Sequence, residues 1–509
     1  MSDEGKKQDT PYPSFGEAIS EQGEARQEKL LKAADGLRVE MERLAEQVRG
    51  LILEQPPVEL LGYLSAQFHM GVLSGVLEKG DDYRPDKELI QKFQLALEYA
   101  HAVWATHANL KDADVKLDEA KAQELFATLD KLSTATMMYC MASAAANLSE
   151  QSSSTEFHAK SSWTLMRGHR YQVLEQEFFD YLLAPNDAAL RAAYGMSASE
   201  IAKGIQDFAD SMRTGFSNAT QAIHERMEQT QGIVDSTGDD MGVVIAKLKG
   251  ENEDFVAAMS GAMKDLFFGG TSNLSRHSNF SATLLEDISY EPGGNAVFFA
   301  DGVFKGTPMR TLPARIRPGI KLGNDYYATD GQFIRDSIYR SIQRGLIARN
   351  PAYKVPWDQG QKAVTETAYP SIFREQLRDA KKWTEVFFKD PKTGQWVETD
   401  LVMSLGDVLF VVEAKAGVMA MHSPATDFDK HERTIRKLIV EAYGQCKRFI
   451  EYLASAPEVA LYNRIDDQYV EVGKVRQRDY RLVLPIGLTV EAFMQARLRR
   501  HNPASQAAF

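Results

Sequence analysis

The run WVETDLVMSLGDVLFVVEAKAG, Trp396 to Gly417, restricts the fold of this chain more than any other stretch. Two apolar runs of strand length flank Leu405-Gly406-Asp407, so the segment predicts a β-hairpin turning across Ser404 to Asp407. Side chains alternate faces along a strand. Leu409, Val411, Glu413 and Lys415 therefore share one side, and Val408, Phe410, Val412 and Ala414 share the other. Asp400 closes the first run, and Glu413 and Lys415 close the second. Charges do not end a buried strand without a partner or a task. Pairing the two runs brings Asp400 toward Glu413, which makes a site for a divalent cation with a lysine beside it.

At 509 residues the chain exceeds one ordinary core, and two or three domains are expected. Cys140 and Cys446 are too far apart in sequence for a metal-ligand spacing, and two cysteines make no disulfide framework, so a reducing cytoplasm is the expected compartment. The N-terminus carries no apolar signal-peptide core. Leu132 to Leu148, rich in Ala, Ser and Thr, reads as a close-packed buried helix and not a membrane span. The net charge of -12 is unevenly spread. Residues 301–509 hold 32 Lys and Arg against 25 Asp and Glu, whereas residues 1–300 hold 27 against 46. A polyanion would therefore be handled at the C-terminal end, although an excess this small also arises by ordinary scatter.

Taken in order, residues 1–23 are polar and read as disordered. From Glu24 the pattern is helical, with Leu30, Leu31, Ala34, Leu37, Met41, Leu44, Val48 and Leu51 at spacings of three and four. Further helical segments follow near 58–78, 86–109, 117–148 and 155–183, with a linker at Ser149 to Ser154. Ala192 to Ile205 has the outline of a helix-turn-helix, with Gly195 at the turn and a capping box from Ser197 to Glu200. It is poor in basic residues and reads as two packed helices. Irregularly spaced apolar residues from Met227 to Met259 suit a bundle or a homo-oligomer interface. Residues 24–265 thus form an all-α sensor or assembly region.

The character changes at Phe268-Gly269-Gly270. Residues 266–325 read as a β-rich connecting region, with Ala296 to Phe304 and Thr311 to Leu322 as strands or extended connections. The third region, 326–509, opens with a helix from Thr329 to Leu346 and a loop from Asn350 to Gly360. A helix from Gln361 to Lys382 follows, interrupted near Tyr369-Pro370-Ser371, and then a strand from Thr384 to Phe388. Beyond the opening hairpin come a helix from Phe428 to Leu453, strands at Gln468 to Val475 and Tyr480 to Leu488, and a helix near Val490 to Arg500. The fold class is a multidomain α + α/β chain, with an all-α N-terminal region and a C-terminal α/β domain with a mixed sheet.

This order, with its charged residues, resembles the PD-(D/E)xK nuclease superfamily, the restriction-endonuclease-like fold, over roughly residues 355–455. Asp400 matches the family's strand aspartate, Glu413-Ala414-Lys415 its Glu-x-Lys, and Gln445 its helical glutamine, with Phe449 and Tyr452 as the accompanying aromatics. For the family's helical acid, Glu366 and Glu375 both qualify; Glu366 is favoured because it follows Gly360 at a spacing common in relatives. Thr399 stands where the motif's proline would be. The resemblance implies a metal-dependent endonuclease acting on DNA, and some relatives with long appended domains work in restriction or antiphage defence.

The chemistry needs these residue types. A Mg2+ or Mn2+ ion held by Asp400 and Glu413, with Glu366 directly or through water, would polarise a phosphate and acidify bound water. Lys415 would orient the attacking water and offset developing negative charge, and Gln445 would position the lysine or a phosphate. Lys430, Arg433, Lys437, Lys447 and Arg448 would contact backbone phosphates, or else form the solvated face of an amphipathic helix. His422 and His431 read as inert. The alternative function is a catalytically inactive nuclease fold that binds nucleic acid or a protein partner.

Overall fold

The computed structural model describes residues 12–20, 23–79, 87–111, 115–146, 153–164, 175–329, 331–417 and 423–489. The linker at 149–152, His422 and the helix expected near Val490 to Arg500 lie outside the described residues. The described residues separate into two units. One runs to Gln176 and from Ala189 to Leu346; the other comprises Glu177–Ala188 and the chain from Ile347 onward.

The first unit is mainly helical. The Gly23–Leu53 helix buries Leu30, Ala34, Met41, Leu44, Val48 and Leu51. It packs on the Glu119–Ala146 helix, which buries Leu132, Ala135, Cys140 and Ala142, as expected for the Ala-rich stretch. Leu31 is exposed and Ala33 buried in its place. No described helix is long and apolar enough to cross a membrane.

Four expectations for this half are corrected. Phe15–Ile19 is a helix, not disordered chain, because Ser14 and Glu17 form a capping box and Ala18 packs with Leu30, Ala33 and Ala146. Residues 266–325 are mostly turns and short helices, with only β1 (Ser289–Tyr290) and β2 (Gly319–Leu322) as strands. The run Ala296 to Phe304 is turns because the Arg310 guanidinium donates to the carbonyls of Val297, Phe298, Ala300 and Val303, at 2.7–3.1 Å, taking acceptors a strand ladder would need. The boundary expected at 326 lies after Leu346. β3 (Asp325–Ala328) pairs with β2, and the Gly331–Arg349 helix buries Ile334, Ile338, Ser341 and Ile342.

The second unit is built on a six-stranded mixed sheet. Its strands are β4 (Lys381–Lys389), β5 (Trp396–Leu405), β6 (Val408–Lys415), β7 (Val459–Ile465), β8 (Gln468–Val475) and β9 (Leu482–Thr489), in spatial order β8-β7-β4-β5-β6-β9. All neighbours are antiparallel except β6 and β9. β7 was not among the expected strands; its Val-Ala-Leu-Tyr alternation and the Asp466-Asp467 turn, both residues at positive φ, pair it with β8.

Two apolar layers flank the sheet. Leu409, Val411, Val402 and Phe388 pack beneath Cys446, Phe449 and Leu453 of the Glu441–Ala454 helix. Leu401, Met403, Val412 and Phe410 pack with Phe373 and Leu377 on the other side. This is the face alternation read from β6.

The helix expected from Gln361 begins at Lys354, after a short 3-10 turn opened by an Asn350 cap, so Gly360 is helical and not in a loop. It also runs unbroken to Gln376 through Pro370, whose ring lacks only the N–H that would have met the Glu366 carbonyl. The expected 428–453 helix is present but contains a π-helical turn at Arg436–Val440. One extra residue in that turn rotates the residues before it relative to those after it.

Candidate active site

The hairpin forms with Leu405 opposite Val408 and Gly406 at φ 58° in the turn. Its ladder ends at Leu401 opposite Val412, while β6 stays paired to β9 through Lys415. There the strands part, and the Ala414 N–H donates to Asp400 Oδ2 at 2.6 Å.

The break has a second cause in β4. Glu385 sits at φ 50°, a left-handed backbone that disfavours side chains beyond glycine. Trp383 and Val386, three residues apart, both reach the core under the 441–454 helix, so the alternation slips between them. Val397 and Val402 do the same on β5. Asp400 stands across from this slip, between the pairs Thr384 with Leu401 and Val386 with Thr399. The Asn463 amide donates to the Thr384 and Glu385 carbonyls at 2.7 and 2.9 Å, holding the strained residue in place.

Glu413 is 1 % exposed, yet its Oε1 has no well-formed hydrogen bond. Burial first, and then the facing Asp400 carboxylate, push its carboxyl up to about 7; the buried Thr399 hydroxyl and Lys415 offset part of this. Lys415 Nζ lies 3.5 Å from Glu413 Oε2 and donates to the Gln445 side-chain carbonyl. Gln445 reaches the site because the 441–454 helix lays Cys446 directly on Val411, Sγ to carbonyl 3.4 Å. Burial, then Glu413, pushes that thiol up to about 12, so Cys446 fills space.

Asp400, Glu413, Lys415 and Gln445 thus converge, as the sequence suggested. Glu366 does not join them directly. It pairs with Lys362 at 3.4 Å, and its charge is felt at Glu398, whose carboxyl is raised by burial, then by Asp400, Glu385 and Glu366. Glu375 is exposed near the helix end. Among the described residues no three acids, histidines or cysteines gather into one metal-binding group. Asp400 and Glu413 are the two carboxylates that face each other here. The buried Oε1 of Glu413, without a hydrogen bond and facing a second carboxylate, is an environment a divalent ion would relieve.

Sequence reasoning missed Gln361, Thr399 and Glu385. Gln361 is buried and donates to the Ala416 carbonyl, tying the Lys354–Gln376 helix to the end of β6. Of the expected phosphate-contacting residues, Lys430, Arg433, Lys437 and Lys447 are exposed and Arg448 is half-buried, its charge reaching Asp390. His431 is buried.

No family model, curated protein or solved structure matches this chain.

Proposed function

We propose that the protein is a Mg2+- or Mn2+-dependent nuclease that hydrolyses phosphodiester bonds in DNA, with its site on the second unit. The observation that carries this reading is the meeting of Asp400, buried Glu413, Lys415 and Gln445 where β5 and β6 part. The order of one helix, three antiparallel strands, a covering helix and, after the inserted β7–β8 hairpin, a strand parallel to the third supports a restriction-endonuclease-like domain.

Asp400 and Glu413 would hold the ion, which would acidify a bound water and draw in the phosphate. Lys415, which pairs with Glu413 and donates to Gln445, would stabilise charge developing on phosphorus-bound oxygen. The exposed basic residues of the 428–454 helix would meet neighbouring phosphates without reading bases.

The test is incubation of the full chain with supercoiled plasmid in Mg2+, in Mn2+ and in EDTA. Nicking or linearisation only with metal supports the reading. DNA binding that persists in EDTA, with no cleavage in either metal, would replace it with a binding module.

A further inference from the structure

The sheet face that carries Leu401 and Met403 changes character toward β8. There Phe387 of β4, Trp396 of β5, Tyr462 of β7 and Tyr469 of β8 form one cluster of rings. Trp396 and Tyr469 belong to strands separated by two others, yet their rings stack in parallel at 3.8 Å, bridging over β4 and β7. Tyr462 meets Trp396 edge-on at 5.1 Å, and Phe387 lies 5.5 Å from Tyr469. All four rings are half-buried.

Covering a sheet face needs only apolar bulk, which Leu401, Met403, Val412 and Phe410 supply elsewhere on this sheet. The aromatic cluster differs in having cations at its rim. Lys389 is exposed, lies 5.4 Å from the Trp396 ring centre, and makes no ion pair among the described residues. Arg464, neighbour of Tyr469 across the β7–β8 ladder, is half-exposed and pairs at 2.9 Å with Asp467, itself exposed.

We propose that this aromatic surface binds single-stranded nucleic acid by stacking bases on the Trp396–Tyr469 pair, with Lys389 and Arg464 taking the adjoining phosphates. Every base has a π-face, so stacking on rings beside cations gives affinity without sequence preference. Duplex bases are stacked on one another and cannot use it. Trp396 and Asp400 lie four residues apart on β5, about 13 Å along the strand. The rings lie on the face opposite the one that Leu409, Val411 and Glu413 share, so this binding stands independently of the nuclease reading.

The experiment measures binding of a fluorescently labelled 20-nucleotide oligothymidylate, and of a 20-base-pair duplex, to the full chain in EDTA by anisotropy. Trp396→Ala and Tyr469→Ala are expected to weaken single-strand binding about 5- to 100-fold each, with duplex binding little changed. Trp396→Phe keeps a ring and should retain most of the affinity, which guards against loss of fold. Lys389→Ala, at an exposed position, should reduce the slope of log K against log salt by about 0.7. The proposal is overturned if the wild-type chain does not bind the oligothymidylate. It is equally overturned if folded alanine variants bind it like wild type, or if single-strand and duplex binding fall together. Because binding is read in EDTA, apart from any cleavage, a failed cleavage assay and a failed stacking surface are distinguishable.

Discussion

Glu413 gives the sharpest quantitative expectation. Its carboxyl titrates near 7 in the folded chain against an ordinary value of 4.5, because it is buried and faces Asp400. The folded state therefore holds the proton more tightly than the unfolded state does. Stability from this group is fully present below pH 4.5 and is lost as pH rises through about 7. The difference corresponds to roughly 3 kcal/mol at 1.36 kcal/mol per pH unit. Glu413→Gln keeps the shape and removes the charge. In EDTA the variant should match wild type at pH 4.5 and be more stable at pH 8 by up to about 3 kcal/mol. A chain of two units does not unfold as a single step, so the readout is hydrogen exchange of the β5 and β6 amides, variant against wild type at each pH. At pH 8 the variant's slowest amides should exchange up to about a hundredfold more slowly, since each 1.4 kcal/mol is a factor of ten. Saturating Mg2+ should slow exchange in wild type and leave the variant unaffected. Equal or weaker protection of Glu413→Gln at pH 8 would refute the idea that this carboxylate is held at a cost to stability.

Other expectations follow from the same geometry. Gln445→Ala removes the acceptor that orients Lys415 beside Glu413 and should lower cleavage about 10- to 100-fold, with Gln445→Glu retaining more, as single-turnover rates would show. Glu385→Gly relieves a left-handed residue beside Asp400 and should stabilise the second unit by about 1 kcal/mol in hydrogen exchange of the β4 and β5 amides; a loss of stability would mean that the side chain is needed there. Phe449→Ala, which removes a fully buried ring of the 441–454 helix that meets Phe388, should cost about 3–5 kcal/mol by the same measurement.

The hairpin was legible because period-two alternation and a turn triplet are local signals, and Asp400, Glu413 and Lys415 inherit their positions from it. The first-unit helix at Gly23–Leu53 was legible through its spacing of three and four, and Glu119–Ala146 through its Ala-, Ser- and Thr-rich apolar stretch. The slip at Glu385 was not. A glutamate gives no warning of a left-handed backbone, and Asn463, which secures it, lies 78 residues away. The turns of 296–304 were hidden similarly, because Arg310 captures carbonyls whose apolar neighbours favour a strand. Pro370 misled in the opposite direction, since a helix can pass through a proline where one lost hydrogen bond is tolerated. The aromatic surface could not be read at all: Trp396 and Tyr469 are 73 positions apart, and only the order β8-β7-β4-β5 brings them together.

The central claim is that Asp400, Glu413 and Lys415 form one hydrolytic centre. The most direct measurement is the single-turnover rate of plasmid cleavage in Mg2+ by wild type, Asp400→Asn and Lys415→Ala. Asp400→Asn keeps an acceptor for the Ala414 N–H while removing the charge, so its fold should survive. Metal-dependent cleavage by wild type, with both variants slower by at least about a hundredfold, is the predicted result. Equal cleavage by all three would contradict it.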